Sequence, residues 1–197
     1  MRLFIAINFT ARDRQRMHRA ARKMREAGLP VRWVDVDHIH MTLKFLGEVR
    51  PETVPKVKRG VARVAEKTKP FTLRMAGAGA FPTMRRPRVI WLGAEASAEL
   101  RCLKHDLEWE LAPLGFEREV RAFHPHVTLG RATPEARAGD FRDFEPLVAE
   151  TRFGGEILVR TVDLMESHLS SKGARYDKLL AAKLGSPASD SLARASG

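Results

Sequence analysis

The chain has 197 residues, 44% apolar and 30% charged, the balance of a globular protein with its own core and not that of a disordered one. No run of about 18 apolar residues occurs, which excludes a transmembrane helix, and the opening MRLFIAINF reads as a strand, too short and too alternating for a signal peptide. The net charge of +11, from 35 Lys and Arg against 24 Asp and Glu, suggests attraction to polyanions, nucleic acid before a membrane surface, though a solvated Arg-rich surface gives the same balance. Cys102 is the sole cysteine, so an internal disulfide is impossible and a reducing, cytoplasmic setting is expected.

Arg2 to Phe9 alternates as a strand does, and Asn8 or Thr10 is placed to cap the helix predicted over 11–27, which Gly28 and Pro30 stop. Short and longer strands are expected at Val31 to Val34 and Ile39 to Phe45, with a turn at Gly47 and Pro51. Residues 52–68 carry Val54, Val57, Val61, Val64 and Ala65 at helical spacing, and Phe71 to Met75 reads as a strand. Gly77 to Arg88, with two prolines and Arg85, Arg86 and Arg88, is expected to be a basic loop. A strand at Val89 to Leu92, a helix over 95–112 closed by Pro113 and Gly115, and an extended Phe116 to Val120 follow. Phe123 to Gly130 and Ile157 to Val162 are expected as strands, with a weaker helical stretch over 131–150 between them. A single domain spanning 1–184, followed by a disordered tail over 185–197, completes the reading.

Within those strands one short pattern occurs twice, His40-Met-Thr-Leu43 and His126-Val-Thr-Leu129, 86 positions apart. The same offset relates Phe4 to Ile90 and Phe71 to Ile157, which points to a duplicated unit. Strand alternation puts His40 and Thr42 on one face and His126 and Thr128 on one face. Two repeats about a pseudo-two-fold axis would turn both faces into a shared cleft. Histidine gives and takes protons near neutrality. A pair flanking a phosphoryl centre can divide acid from base work, with threonine hydroxyls donating to non-bridging oxygens.

The strings His40-Met-Thr-Leu-Lys-Phe-Leu-Gly47 and His124-Pro-His-Val-Thr-Leu-Gly-Arg131 resemble the paired HxTx motifs of the two-histidine phosphoesterases, in particular the bacterial and archaeal branch called 2′-5′ RNA ligase or RNA 2′,3′-cyclic phosphodiesterase. The opening LFIAI, Gly79 to Pro82, Arg88 to Gly93, Glu166 to Leu169 and Gly173 to Tyr176 occur in that family's order. The resemblance implies an α+β, bilobal duplicated fold: two similar lobes, each with an antiparallel sheet and helices, around a basic central cleft. It also implies a metal-independent hydrolase, without cofactor, that opens 2′,3′-cyclic phosphate RNA ends to the 2′-phosphate, with reversible 2′-5′ RNA ligation as a second reaction. On that basis His40 is the proton donor, His126 the proton acceptor, and Thr42 and Thr128 hold the phosphate. The near-symmetry of the pairs does not itself assign donor and acceptor.

Five further residues are candidates for substrate binding. Lys44 shares the His40 and Thr42 face by alternation and is either a phosphate contact or a solvated strand end. Arg131 is a candidate phosphate ligand, but on a straight strand it would point away from Thr128. Gly130, where many relatives have alanine, leaves that direction open. Phe45 is core by pattern, like Phe81 and Trp91, or a base-stacking aromatic at a cleft rim. Arg121 is a backbone-phosphate contact or a surface charge, and Tyr176, near Lys172 and Arg175, belongs to a rim loop. The expected partners are RNA ends bearing a cyclic phosphate, whether tRNA fragments or small cyclic nucleotides, with no membrane and no obligate protein partner. Two rival readings remain: a non-catalytic RNA-binding module, and a metal-dependent hydrolase using the pairs His38-x-His40 and His124-x-His126.

Overall fold

The computed structural model describes residues 1–170 and 173–185. Most of the tail expected over 185–197 therefore lies outside the described residues, as does Lys172. Gly185 is the exception, and its N–H donates to the Ala65 carbonyl (3.0 Å).

Among the described residues, nine strands form two antiparallel sheets. The first sheet has the order β3 (His40–Glu48), β1 (Arg2–Asn8), β8 (Thr161–Ser170), β9 (Gly173–Lys183). The second has the order β2 (Val31–Trp33), β6 (His126–Ala132), β5 (Arg86–Ala94), β4 (Phe71–Thr83), β7 (Gly154–Val159). The motif strands β3 and β6 lie against each other across the two sheets. No helix among the described residues is long and apolar enough to cross a membrane.

The helices form where capping and amphipathic spacing allow them. The Thr10 hydroxyl accepts from the Asp13 N–H (3.2 Å) and starts α1 (Ala11–Ala20). The helix predicted over 11–27 is two, because the chain bends at Ala21 before α2 (Arg22–Glu26), and Met17, Ala21 and Met24 are all buried along the bent path. In α3 (Val54–Lys67) the predicted valines all face the core. Ser97 caps α4 (Ala98–Leu111), which packs on α3 and β3, while α5 (Phe144–Glu150) packs on β4. One continuous core runs through both sheets. On the other face of the first sheet Phe4, Ala6 and Met165 form a small separate cluster with Tyr176.

Three expectations are corrected here. The basic loop over 77–88 is a β-hairpin: β4 runs on to Thr83 and β5 begins at Arg86, so Arg86 and Arg88 are strand residues. The strand expected at Ile157 to Val162 is the end of β7 and the start of β8. Phe71 and Ile157 are not equivalent positions in two lobes, because β4 and β7 are neighbours in one sheet, with Leu73 opposite Ile157. The offset of 86 holds for the motif strands, but Phe4 and Ile90 are one residue out of step: Ile5 pairs with Lys44 as Ile90 pairs with Gly130, so β1 and β5 correspond at 85.

The decisive local feature is a one-residue bulge in each motif strand. Opposite β1, Thr42 pairs with Ala6 and Lys44 with Ile5, so Leu43 is the extra residue. Opposite β5, Thr128 pairs with Trp91 and Gly130 with Ile90, so Leu129 is the extra residue. Both strands open with the same burial sequence: half-buried His, buried, half-buried Thr, two buried residues in a row, then an exposed one. A bulge interrupts alternation. Lys44 and Gly130 consequently turn inward, while Phe45 and Arg131 return to the histidine face.

This overturns the placement of Lys44 beside His40 and Thr42. Lys44 is 5% exposed, paired with Glu108 of α4, and it donates to the Glu117 carbonyl (2.7 Å). Lys104 pairs with the same carboxylate and reaches Glu119 (3.2 Å). Burial tends to raise the Glu108 pKa, but the hydrogen bonds and charges of Lys104 and Lys44 outweigh it and hold the carboxyl below its ordinary value. The network ties β3 to α4 and to the segment that leads into β6. Lys44→Ala is therefore expected to lower the unfolding free energy by about 1–3 kcal/mol, because Lys104 still neutralises Glu108 while the Lys44 hydrogen bonds are lost. Urea unfolding measures this, and an unchanged midpoint would show that the pair contributes nothing.

Candidate active site

Both histidines are fixed in the same way. His40 Nδ1 lies 2.7 Å from the carbonyl oxygen of His38, and His126 Nδ1 lies 2.7 Å from that of His124. A carbonyl only accepts, so each Nδ1 carries the proton and donates it, leaving Nε2 of each ring as the nitrogen available for chemistry. Thr42 and Thr128 follow two residues along on the same faces, half-buried. The structure thus brings the four motif residues onto two adjoining strands, each with a reactive nitrogen and a hydroxyl.

Aromatic rings hold both imidazoles. Phe4 lies 5.0 Å and Tyr176 5.2 Å, edge-on, from the His40 ring. Phe81 lies 5.1 Å, edge-on, and Trp91 6.5 Å from the His126 ring. Phe81 and Trp91 are therefore half-buried walls around His126, not core residues. Trp91 lies flat over Gly79, where a Cβ would come within 2.4 Å of its ring. Tyr176 is on β9, opposite Ser167, and not in a rim loop. Its hydroxyl pKa is raised by burial.

Burial is also the main cause of the lowered pKa of both motif histidines. For His40 the bond to His38 works in the opposite direction, and the charges of His38 and Arg131 lower the pKa further. For His126 the bond to His124 raises the value, while Arg131 and His124 add to the lowering. The Arg131 guanidinium acts on His40, His126 and Tyr176 together, so it lies at the cleft between the two strands. The bulge supplies the direction that a straight strand would not. Gly130 occupies the inward position, where a Cβ would sit 2.6 Å from Val31 Cγ1 and 2.8 Å from Trp33 Cε3. Alanine there would force β2 to move.

Phe45 is 68% exposed on the histidine face, with its ring 6.2 Å from Phe4, so it belongs to the cleft and not to the core. Lys44 is removed from the site by its inward turn. Arg121 is exposed, before β6, and lines a groove of about 810 Å³ along α4 with Trp109 and Phe123. Neither motif histidine lines that groove.

One cluster on the cleft face escaped sequence reading. Asn8 lies opposite His40 in the β1–β3 ladder and donates through Nδ2 to Asp163 Oδ2 (2.7 Å), which Lys178 Nζ also approaches (2.8 Å). Asp163 is wholly buried. The available signal was a carboxylate inside the apolar run Val162 to Met165. No group of three or more His, Cys, Asp or Glu among the described residues stands close enough to hold a metal ion. The two HxH pairs do not assemble into a ligand set. Their first members instead supply the backbone carbonyls that hold the second.

Two strand-borne histidines with available Nε2 atoms, each backed by a threonine two residues on, define a two-histidine phosphoesterase site. Comparison with known proteins agrees. Residues 10–91 match the family described as LigT like Phosphoesterase, a span that holds the first motif. An RNA 2′,3′-cyclic phosphodiesterase of Aeropyrum pernix is 33% identical over 177 residues, covering 87% of this chain and 96% of that protein. The crystal structure of Thermus thermophilus TT0787 superposes with a TM-score of 0.79 at 30% identity, covering 94% of this chain and 98% of the other. Escherichia coli LigT complexed with 3′-AMP gives 0.73 at 30% identity, with the same coverage. The chain belongs to the LigT-like phosphoesterases of the two-histidine superfamily, and its fold is their two-lobed α+β fold.

The lowered histidine values have a stability consequence. Because the folded pKa lies below the ordinary 6.5, the unfolded chain binds more protons as pH falls through that value. Folding is then favoured fully above about pH 6.5 and progressively less below it. His40→Gln should flatten the fall of Tm on the acid side of that point, as read by thermal unfolding across a pH series. A slope identical to the unsubstituted protein's would contradict the burial of His40.

Proposed function

We propose that this chain is an RNA 2′,3′-cyclic phosphodiesterase that hydrolyses the cyclic phosphate end of an RNA strand to a 2′-phosphomonoester. The reading is carried by the two identically tethered imidazoles, each left with Nε2 available on one of two adjoining strands. The names of the relatives support the same substrate class.

In this mechanism Thr42 and Thr128 donate to the non-bridging phosphate oxygens, and Arg131 offsets their charge. Neutral His126 takes a proton from water at Nε2 as the water oxygen attacks phosphorus. The bond from phosphorus to O3′ breaks, and protonated His40 gives its Nε2 proton to O3′. The products are a 2′-phosphate and a free 3′-hydroxyl, and solvent restores both protonation states. The phosphate anion favours the imidazolium that burial opposes, so substrate itself helps to load the donor. With a 5′-hydroxyl in place of water as the nucleophile, the same steps join it to the cyclic end as a 2′-5′ linkage, while bulk water favours hydrolysis. Tyr176 packs on the donor ring and limits its rotation. Phe45 offers an exposed aromatic face on which a nucleobase stacks. The basic balance supports RNA as the partner, whether a tRNA fragment or a smaller cyclic nucleotide, and the lone, exposed Cys102 supports a reducing, cytoplasmic setting.

A 2′,3′-cyclic-phosphate oligonucleotide incubated with the protein in EDTA should be converted, over many turnovers, to the 2′-phosphate isomer. His40→Ala and His126→Ala should each lower kcat/KM by at least about 10²-fold, and the unsubstituted enzyme should show a bell-shaped pH profile. Full activity in either variant removes this mechanism. Binding without turnover leaves a non-catalytic RNA module, and loss of turnover in EDTA returns the metal-dependent alternative.

A further inference from the structure

Arg32 and Arg131 stand directly opposite each other in the β2–β6 ladder. Val31 and Trp33, the neighbours of Arg32, both reach the inward side of Gly130, and alternation along β2 therefore sends Arg32 to the opposite side, with Arg131. Both are exposed. The strand is well held: its ladder continues on either side through Val34 N–H to the Leu129 carbonyl (2.8 Å) and Thr133 N–H to the Pro30 carbonyl (2.9 Å).

Like charges directly opposite on a sheet face are destabilising. No carboxylate within 4.0 Å relieves either guanidinium among the described residues, and Glu135, the carboxyl that feels the Arg32 charge, is itself exposed. Arg131 reaches the reacting centre, since its charge acts on both histidines, whereas Arg32 is not among the charges acting on either. The pair thus extends the positive field from the histidines towards the edge of the second sheet. Arg131 lies about 7–10 Å along β6 from Thr128, by strand rise, on the order of one nucleotide step.

We propose that Arg32, with Arg131, forms a second phosphate subsite, which takes the internucleotide phosphodiester next to the cyclic end of an RNA strand. This rests on the reading of the site as an RNA cyclic phosphodiesterase. A guanidinium fork matches two phosphate oxygens, and an anion between the two arginines removes their repulsion. The subsite separates substrates by length. A mononucleoside 2′,3′-cyclic phosphate fills the reacting centre alone, while a dinucleotide with the same end engages Arg32 as well.

The test compares the unsubstituted protein, Arg32→Gln and Arg32→Lys on those two substrates. Arg32→Gln should lower kcat/KM for the dinucleotide about tenfold, mainly through KM, and leave the mononucleoside unchanged. The dependence of dinucleotide affinity on salt should lose about one phosphate contact. Arg32→Lys should restore part of the loss. The Tm of Arg32→Gln should hold or rise, because a like-charge pair has been removed. Equal losses on both substrates, no loss on the dinucleotide, or a lowered Tm with losses on both overturns the subsite. If the unsubstituted protein hydrolyses neither substrate, the functional reading fails instead. Titration with a dinucleotide 2′-phosphate then decides the subsite alone, weaker binding by Arg32→Gln supporting it and equal binding overturning it.

Discussion

Everything at the cleft depends on a break in strand alternation after each HxT. A strand without bulges would put residues 40, 42 and 44 on one face and 126, 128 and 130 on the equivalent one. The extra residue at Leu43 and at Leu129 reverses this. Each motif strand then buries two residues in succession and presents the next to the cleft. The His–Thr pairs are unaffected because they precede the bulge. What changes is their surroundings: a lysine is withdrawn to a buried ion pair, and an aromatic and a guanidinium are brought forward. The shared position of the bulges is stronger support for duplication than the spacing of the motifs, because it repeats a backbone irregularity as well as side-chain types.

Burial and tethering act on the histidines in opposite senses. Enclosure by Phe4 and Tyr176 on one side, and by Phe81 and Trp91 on the other, removes water from the rings and disfavours their charged forms. The bonds from Nδ1 to the backbone favour the charged forms and fix the tautomer. A neutral ring with its proton on Nδ1 is ready to act as a base at Nε2. An acid of the same construction needs a nearby anion, and the substrate supplies one. In the proposed mechanism one scaffold, used twice, serves both proton transfers, with a backbone carbonyl orienting each ring.

Much of this was legible in the sequence, and what was not has a common physical origin. Periodicity located β1, α3, α4 and both motif strands, because an amphipathic face repeats regularly. The HxT strings gave the four central residues, because two positions on a strand share a face whatever follows. Lys44 was misplaced, and the direction of Arg131 left open, because a bulge has no composition signal that separates it from a continuing strand. Sequence pattern alone leaves Phe45 between the core and the cleft rim, because an aromatic in an apolar strand is usually buried. The arginines at 85–88 suggested a loop because the prolines hid a hairpin that continues beyond them. Asn8 meets Asp163 and Lys178 from the opposite end of the chain, and only the sheet order, which sets β1 beside β8, places them together.

The duplication also explains where the two halves had to diverge. Two identical lobes would bind a cyclic phosphate equally well in either orientation, and half of those encounters would present the wrong oxygen to the donor. The positions after the bulges differ: Phe45 stands in one lobe where Arg131 stands in the other. Their inward neighbours differ as well, with Lys44 filling space against α4 and Gly130 leaving room for Val31 and Trp33. The second exchange supports the first, because the absence of a side chain at 130 allows β2 to close onto β6. With β2 in place, a second arginine comes opposite Arg131. On the proposed mechanism, polarity in a two-fold site thus follows from substitutions beside the His–Thr pairs, while the pairs themselves retain their symmetry.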